Sequence, residues 1–95
     1  MNESDISSEA LAELLTLTVS VNALGTTIYR NHLGHMHRIH GPSVIWEDGS
    51  KSWYQNDKCH RVDGPATIWA TGEYEWWLNG EYLTEAQWNE RIKSI

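Results

Sequence analysis

Side chains that could bind a metal ion are concentrated in the middle of the chain. The candidates are His35, His37, His40, Cys59 and His60. Neutral imidazole and thiolate are ligands that Zn²⁺ prefers. Their spacing, however, matches none of the standard zinc patterns. We therefore expect no metal and no cofactor, and a structural role for the histidines.

The sequence also lacks the residue patterns of the common catalytic sites. It contains no G-x-S-x-G motif, no P-loop and no Gly-rich dinucleotide motif. Cys59 and His60 are neighbours on a predicted strand, so their side chains point to opposite faces and form no dyad. Glu73 and Glu75 share one strand face without any sign of a cleft. The sequence therefore predicts a protein that is not an enzyme.

Large aromatic residues are the more informative candidates. The chain has six Trp, four Tyr and no Phe, so nearly every large aromatic side chain carries a polar group. Such side chains suit half-exposed sheet faces and interfaces better than a deep core. This composition favours binding over catalysis.

A repeat of 23 residues positions these aromatic residues. Residues 37–59 read HRIHGPSVIWEDGSKSWYQNDKC, and residues 60–82 read HRVDGPATIWATGEYEWWLNGEY. A shift of 23 superimposes the His-Arg pair, the Gly-Pro pair, the Ile-Trp pair, and later a Gly, a Trp and an Asn. The segment from Gly25 to Asn31 is a weaker, earlier copy. Such a period is typical of repeat architectures.

Each copy is predicted to be a meander of short antiparallel strands. Runs of β-branched and aromatic residues surround Asp48-Gly49 and Thr71-Gly72, which we interpret as two-residue turns. Asn79-Gly80 is another turn signal, and Asn56-Asp57 is its weaker counterpart.

This register predicts two different sheet faces. One face is almost entirely aromatic, and we expect the terminal helices to cover it; it holds Trp46, Trp53, Trp69, Tyr74 and Trp76. The other face is mixed, and we expect it to bind a partner. The expected partner-binding residues are Tyr54, Trp77, Tyr82, Glu73, Glu75 and Glu81.

Both ends of the chain carry helix signals. Ser7 or Ser8 can cap a helix that runs to Leu15, and a strand of alternating residues follows it. Thr84 and Gln87 form a capping-box pattern before a final helix that ends near Ile95.

The predicted fold is therefore a single α+β domain. It is an antiparallel β-meander of tandem hairpin repeats, each of about 23 residues, with short N- and C-terminal helices. The predicted segments are an N-terminal helix region (1–15), strands with the weaker copy (16–36), the first repeat (37–59), the second repeat (60–83) and a C-terminal helix (84–95).

The repeated H-R-x-[DH]-G-P-[AS] segment, followed by I-W-x-x-G and [WY]-[WY]-x-N-[GD], resembles a variant of the MORN repeat over residues 37–84. The variant belongs to small bacterial and phage proteins, some of them antitoxin-like. The resemblance implies protein–protein binding and supplies no catalytic residues. This chain departs from the pattern at His40 and Asp57. A second resemblance, of Trp-Tyr-x-Asn and Trp-Trp-x-Asn-Gly to choline-binding and other wall-binding repeats, implies an aromatic ligand site.

Charge bears on the class of partner. The formal net charge is −6, and the acidic residues are concentrated in the two ends of the chain. This sign argues against direct binding to nucleic acid, which requires clustered Lys and Arg. We expect a protein partner, such as a bacterial host protein or toxin, and a second copy of the chain is a further candidate because exposed sheet edges can pair. An acidic decoy that mimics nucleic acid and an aromatic small-ligand or glycan binder are the alternatives.

The start of the chain has acidic residues, and no basic ones, where a secretory signal would carry positive charge. No run of 18 apolar residues occurs anywhere, and a single cysteine allows no internal disulfide. We therefore expect a cytoplasmic protein, located in the host cytoplasm if a phage encodes it, without membrane association.

Overall fold

The structure is a computed structural model that describes residues 7–95. These residues form a small α+β fold with two helices and a mostly antiparallel sheet, as the sequence predicts. The helices are α1 (Ser8–Thr16) and α2 (Glu85–Ile92). The strands are β1 (Thr18–Val21), β2 (Thr27–Arg30), β3 (Val44–Ile45), β4 (Lys51–Ser52), β5 (Tyr54–Gln55), β6 (Lys58–Cys59), β7 (Thr67–Ile68), β8 (Tyr74–Leu78) and β9 (Glu81–Leu83).

Seven strands form one sheet in the order β1-β2-β3-β4-β7-β8-β9, and β5 pairs with β6 in a separate two-stranded ladder. Strands β1 and β9 are the two edges of the large sheet. Within residues 7–95, neither helix has the length and apolar character that crossing a bilayer would require.

Three hairpins of this sheet close with the same three-residue loop. They join β1 to β2, β3 to β4, and β7 to β8. In the second hairpin the Trp46 amide donates to the Ser50 carbonyl at 2.9 Å, and the Gly49 amide donates back to Trp46 at 3.0 Å. Gly49 has φ +92°, and Gly25 and Gly72 occupy the same position with φ +84° and +93°. Glycine adopts this left-handed conformation without steric cost, which favours a loop of this type.

This loop makes the expected register wrong by one residue. Val44 pairs with Ser52 instead of Trp53, and Thr67 pairs with Glu75. A shift of one residue moves the side chains of one strand to the opposite face relative to its partner. The predicted aromatic face is therefore divided. Trp46 and Trp69 share a face with Tyr54, Trp77 and Tyr82, which we call the open face, whereas Trp53, Tyr74 and Trp76 share the other with Tyr29, which we call the helix face.

Stacked cations and rings line the helix face. The Arg38 guanidinium lies 4.2 Å from the Tyr29 ring centre, and the Arg61 guanidinium lies 3.8 Å from that of Trp53. On Trp76 the equivalent place is taken by Trp88 of α2, with the ring centres 4.7 Å apart. Each aromatic residue on this face is thus covered by a group from a later part of the chain.

Helix α2 closes the end of the sheet. Trp88 is buried with Leu78 and Leu83, and Trp76 and Ile92 pack against this cluster. The Trp88 indole also donates to the Arg61 carbonyl at 2.9 Å. These contacts place the main apolar core at the C-terminal end of the sheet.

The repeated histidines join neighbouring hairpins. His37 Nδ1 accepts the Asn56 amide at 3.2 Å, and His60 Nδ1 accepts the Asn79 amide at 2.9 Å. Both asparagines begin turns with positive φ, 51° and 50° respectively. Each histidine therefore holds the turn that follows it by 19 residues.

The repeated Gly-Pro pairs make room for the arginines. A Cβ atom at Gly41 would lie 2.7 Å from Arg38 Cζ, and one at Gly64 would lie 2.8 Å from Arg61 Cζ. Arg61 Nη1 then donates to the Pro65 carbonyl at 2.9 Å. The glycine is needed here for space, since a side chain would displace the guanidinium from the ring.

The helix caps are confirmed. Ser7 caps α1, with its side chain accepting the Ala10 amide. Thr84 and Gln87 form the predicted capping box of α2, which ends at Ile92 rather than near Ile95. Helix α1 is tied to the body by Glu13, whose carboxylate accepts the amides of Ile39 at 2.6 Å and His40 at 2.9 Å.

We expect Gly64→Ala to lower the free energy of unfolding by about 1–2 kcal/mol, because overpacking at this site forces Arg61 away from Trp53. Urea unfolding followed by tryptophan fluorescence measures the loss. In an Arg61→Ala background the same substitution should cost much less. An equal loss in both backgrounds would show that the guanidinium is not what the new Cβ meets.

Candidate functional site

A row of aromatic side chains crosses the open face. Trp46 and Trp69 stack with ring centres 5.7 Å apart, and Trp77 and Tyr82 lie 5.2 Å apart. Glu75 joins the two pairs, because its carboxylate accepts the indole N–H of Trp69 at 2.9 Å and that of Trp77 at 3.0 Å. Four aromatic residues and one carboxylate therefore form a continuous band over the sheet.

This band is accessible, whereas the small residues of the same face are buried. Tyr82 is 63% exposed and Trp69 is 37% exposed. Ser52 and Thr67 are buried, and their hydroxyls bond to each other at 2.8 Å. The buried polar groups thus satisfy one another, and the aromatic side chains remain free for contact with another molecule.

Neither helix covers the band. Helix α2 packs on Trp76, on the helix face. Helix α1 is held by the loop at Ile39 and His40, and it shares a groove with Trp53 and Arg61, which also belong to the helix face. The expectation that a terminal helix packs on Trp76 is confirmed, but Trp46 and Trp69 lie on the side without helices.

Five of the six predicted partner-binding residues share the open face. They are Tyr54, Trp77, Tyr82, Glu73 and Glu75. Glu81 pairs with Leu78 across β8 and β9 and therefore points to the helix face. There it bonds to Arg91 through two contacts of 3.0 and 3.1 Å. Hydrogen bonding to Arg91 lowers the pKa of Glu81.

A groove of about 280 Å³ opens at one end of the band. Its lining includes Tyr54, Trp77, Glu75, Asp57 and Lys58. Burial raises the pKa of Tyr54, with smaller contributions from its negatively charged neighbours, so the phenol stays protonated at neutral pH. The groove therefore combines aromatic walls with one half-buried carboxylate.

Cys59, in the same groove, is an inert thiol. Its side chain is buried, with Sγ 3.7 Å from the Thr67 hydroxyl, and burial raises its pKa to about 11. A thiolate is the form that attacks substrates and binds metals. This site thus offers no nucleophile at neutral pH.

The metal candidates are not brought together. Within residues 7–95, no three His, Cys, Asp or Glu side chains are placed to share an ion. The Nδ1 atoms of His37 and His60 accept backbone amides instead. The equivalence of these two histidines in the repeat is matched by equivalent contacts.

Sequence reasoning missed Trp46 and Trp69 as residues of the accessible face. The error came from the two-residue turns assigned at Asp48-Gly49 and Thr71-Gly72. A three-residue loop with glycine last fits the same residues, since its third position takes the left-handed conformation. Comparing both loop lengths would have identified the correct face as one of two alternatives.

Comparisons with known proteins gave no match: no family model, no curated protein and no solved structure is significantly similar to this chain.

We expect stability to fall in mild acid because of His60. Burial lowers the pKa of His60 from the ordinary value of 6.5, and protonation of Nδ1 would break its bond to Asn79. Below about pH 6.5 the unfolded chain takes up the proton before the folded one does, so stability is lost as the pH falls towards the folded pKa. Urea unfolding between pH 7.5 and 5 should show part of this loss disappear in His60→Gln and remain in the exposed control His32→Gln. An identical pH profile for wild type and His60→Gln would contradict the assignment.

We expect Cys59 to react with a thiol reagent only after unfolding. At pH 8 the folded protein should be modified by a disulfide reagent at least about a hundredfold more slowly than the protein in urea, since the folded thiol is both buried and protonated. Absorbance of the released chromophore measures both rates. Stability should also decrease above about pH 9, because the unfolded thiol ionises before the folded one. Rapid modification of the folded protein would contradict this description.

Proposed function

We propose that this protein is a non-enzymatic, protein-binding module whose contact surface is the open face. The band of Trp46, Trp69, Glu75, Trp77 and Tyr82 is the observation that carries the proposal. Trp and Tyr are the residues that dominate binding energy at protein interfaces. A connected row of them on the side without helices favours contact with a macromolecule.

We also propose that the chain is built from tandem MORN-like repeats. Support comes from contacts that recur after 23 residues, including the histidine–asparagine bonds and the arginine–aromatic stacks. The hairpin of β1 and β2 has the same glycine loop, which extends the weaker copy towards the N-terminus. In this proposal the repeat motif is scaffold, and function depends on what the scaffold displays.

The class of partner follows from the resemblance. Small bacterial and phage proteins with this motif include antitoxin-like members, so we propose that the chain inhibits a bacterial protein inside the cytoplasm. Its net charge of −6 favours a partner surface with basic character.

The acidic-decoy alternative has less support. It relies on free carboxylates, but Glu81 is bonded to Arg91 and Glu75 is held between two indoles. A decoy would need its charges arranged for a groove that binds phosphates. A small aromatic ligand remains the second alternative, and the groove beside Trp77 is where it would bind.

The proposal is tested by capturing a partner with matched tyrosine variants. Tyr82 is 63% exposed on the open face, and Tyr74 is 58% exposed on the helix face. We expect Tyr82→Ala and Trp69→Ala to weaken binding of a captured bacterial protein by about tenfold or more, the loss typical of an interface hot spot. Tyr74→Ala should leave it unchanged. Affinity is measured with the purified, identified partner by calorimetry.

Two outcomes would overturn the proposal. One is that no protein is captured above a mock control. The other is that Tyr74→Ala weakens binding as much as Tyr82→Ala does. Loss of binding on reversing the charge of Glu73 and Glu81, with Tyr82→Ala unaffected, would favour the decoy instead.

A further inference from the structure

Glu75 is a half-buried carboxylate that no cation neutralises. Its two partners, the indoles of Trp69 and Trp77, are neutral donors. The ion pairs within residues 7–95 are Arg61–Asp63, Arg91–Glu81 and Lys93–Glu90, and none includes Glu75. Partial burial of an unpaired charge is costly, and a cation nearby would reduce that cost. The carboxylate has lone pairs left after binding two donors.

The groove beside Glu75 has the walls that a cation requires. Tyr54 and Trp77 line it together with Glu75. Cations are attracted to aromatic faces as well as to carboxylates, and the attraction increases when water is excluded. With a volume of about 280 Å³, the groove admits a single side chain rather than a large ligand.

Two further charged residues stand at the rim of the groove. Asp57 accepts the Met36 amide at 2.7 Å, so it is a second, partly engaged negative charge. Lys58 is exposed and makes no ion pair in the described part of the chain. Its ammonium opposes a second cation, but Glu75 and Asp57 together outweigh it. An anionic guest would meet two carboxylates, and an apolar guest would leave Glu75 without a counter-charge.

We propose that this groove binds a basic side chain, the ammonium of a lysine or the guanidinium of an arginine, presented by the partner protein. The inference rests on the proposed function, because it assigns the chemistry of one contact within the open face. The cation bonds to Glu75 and packs against Tyr54 and Trp77. The aromatic band provides the surrounding contact area.

The groove is tested without the partner, by NMR of the ¹⁵N-labelled full-length chain. Nα-acetyl-lysine-N-methylamide is titrated to tens of millimolar, and the norleucine analogue, which has no ammonium, is the matched control. The indole N–H signals of Trp69 and Trp77 report on Glu75. The indole N–H of Trp88 bonds to the Arg61 carbonyl on the helix face and serves as the internal reference.

We expect the lysine compound to shift the Trp69 and Trp77 indole signals with a Kd on the order of millimolar, and to leave Trp88 unchanged. Glu75→Gln, which keeps an acceptor but removes the charge, should weaken binding about tenfold. Lys58→Gln should strengthen it about twofold, because it removes a like charge from the rim. Lys58 is exposed, so this variant keeps the test valid even if Glu75→Gln does not fold.

The proposal is overturned if the norleucine analogue causes the same shifts, or if neither signal moves. It is also overturned if Lys58→Gln weakens binding or leaves it unaltered. Failure here with continued capture of a partner through Tyr82 would leave the proposed function intact. Cation binding without any captured partner would support the groove and count against a protein-binding role.

Discussion

Stacking between arginine and aromatic rings is the interaction on which most of this fold depends. The sheet is a single layer, and its buried apolar cluster lies at the C-terminal end around Trp88. Elsewhere, Arg38 on Tyr29 and Arg61 on Trp53 take the part that a covering helix would play. Guanidinium is suited to this because it stacks flat on a ring and still donates hydrogen bonds at its edge. Gly41 and Gly64 leave the space that the stack requires.

Local signals in the sequence predicted much of the fold, and non-local ones determined what was missed. The caps at Ser7 and Thr84 depend on bonds over three residues, so residue types alone reveal them. Hairpin register depends on whether Gly49 and Gly72 end a two- or a three-residue loop, and glycine permits both. The position of α1 depends on Glu13 bonding to amides 26 and 27 residues away, which no periodicity indicates. The candidate site inherited the error in register, so Trp69 was placed on the wrong face.

The one difference within the repeated loops has a structural counterpart. In the second loop Arg61 Nε donates to Asp63 at 2.8 Å. In the first loop His40 replaces the acid, and the buried Nε of Arg38 lacks a partner among the described residues. The acid that comes to the first loop is Glu13 of α1, and it bonds to the backbone rather than to the arginine. The first loop has thus exchanged an internal ion pair for an attachment to the N-terminal helix.

The histidine–asparagine bond also bears on how such a chain can change length during evolution. Each bond joins one hairpin only to the next, and the partners lie at a constant separation of 19 residues. A duplicated unit inserted in register between the two copies would find an acceptor on one side and a donor on the other. The attachment of α1 through Glu13 and the closure by Trp88 would remain as they are. Gene duplication could therefore lengthen the sheet, and with it the displayed row of indoles, without any new solution for the ends.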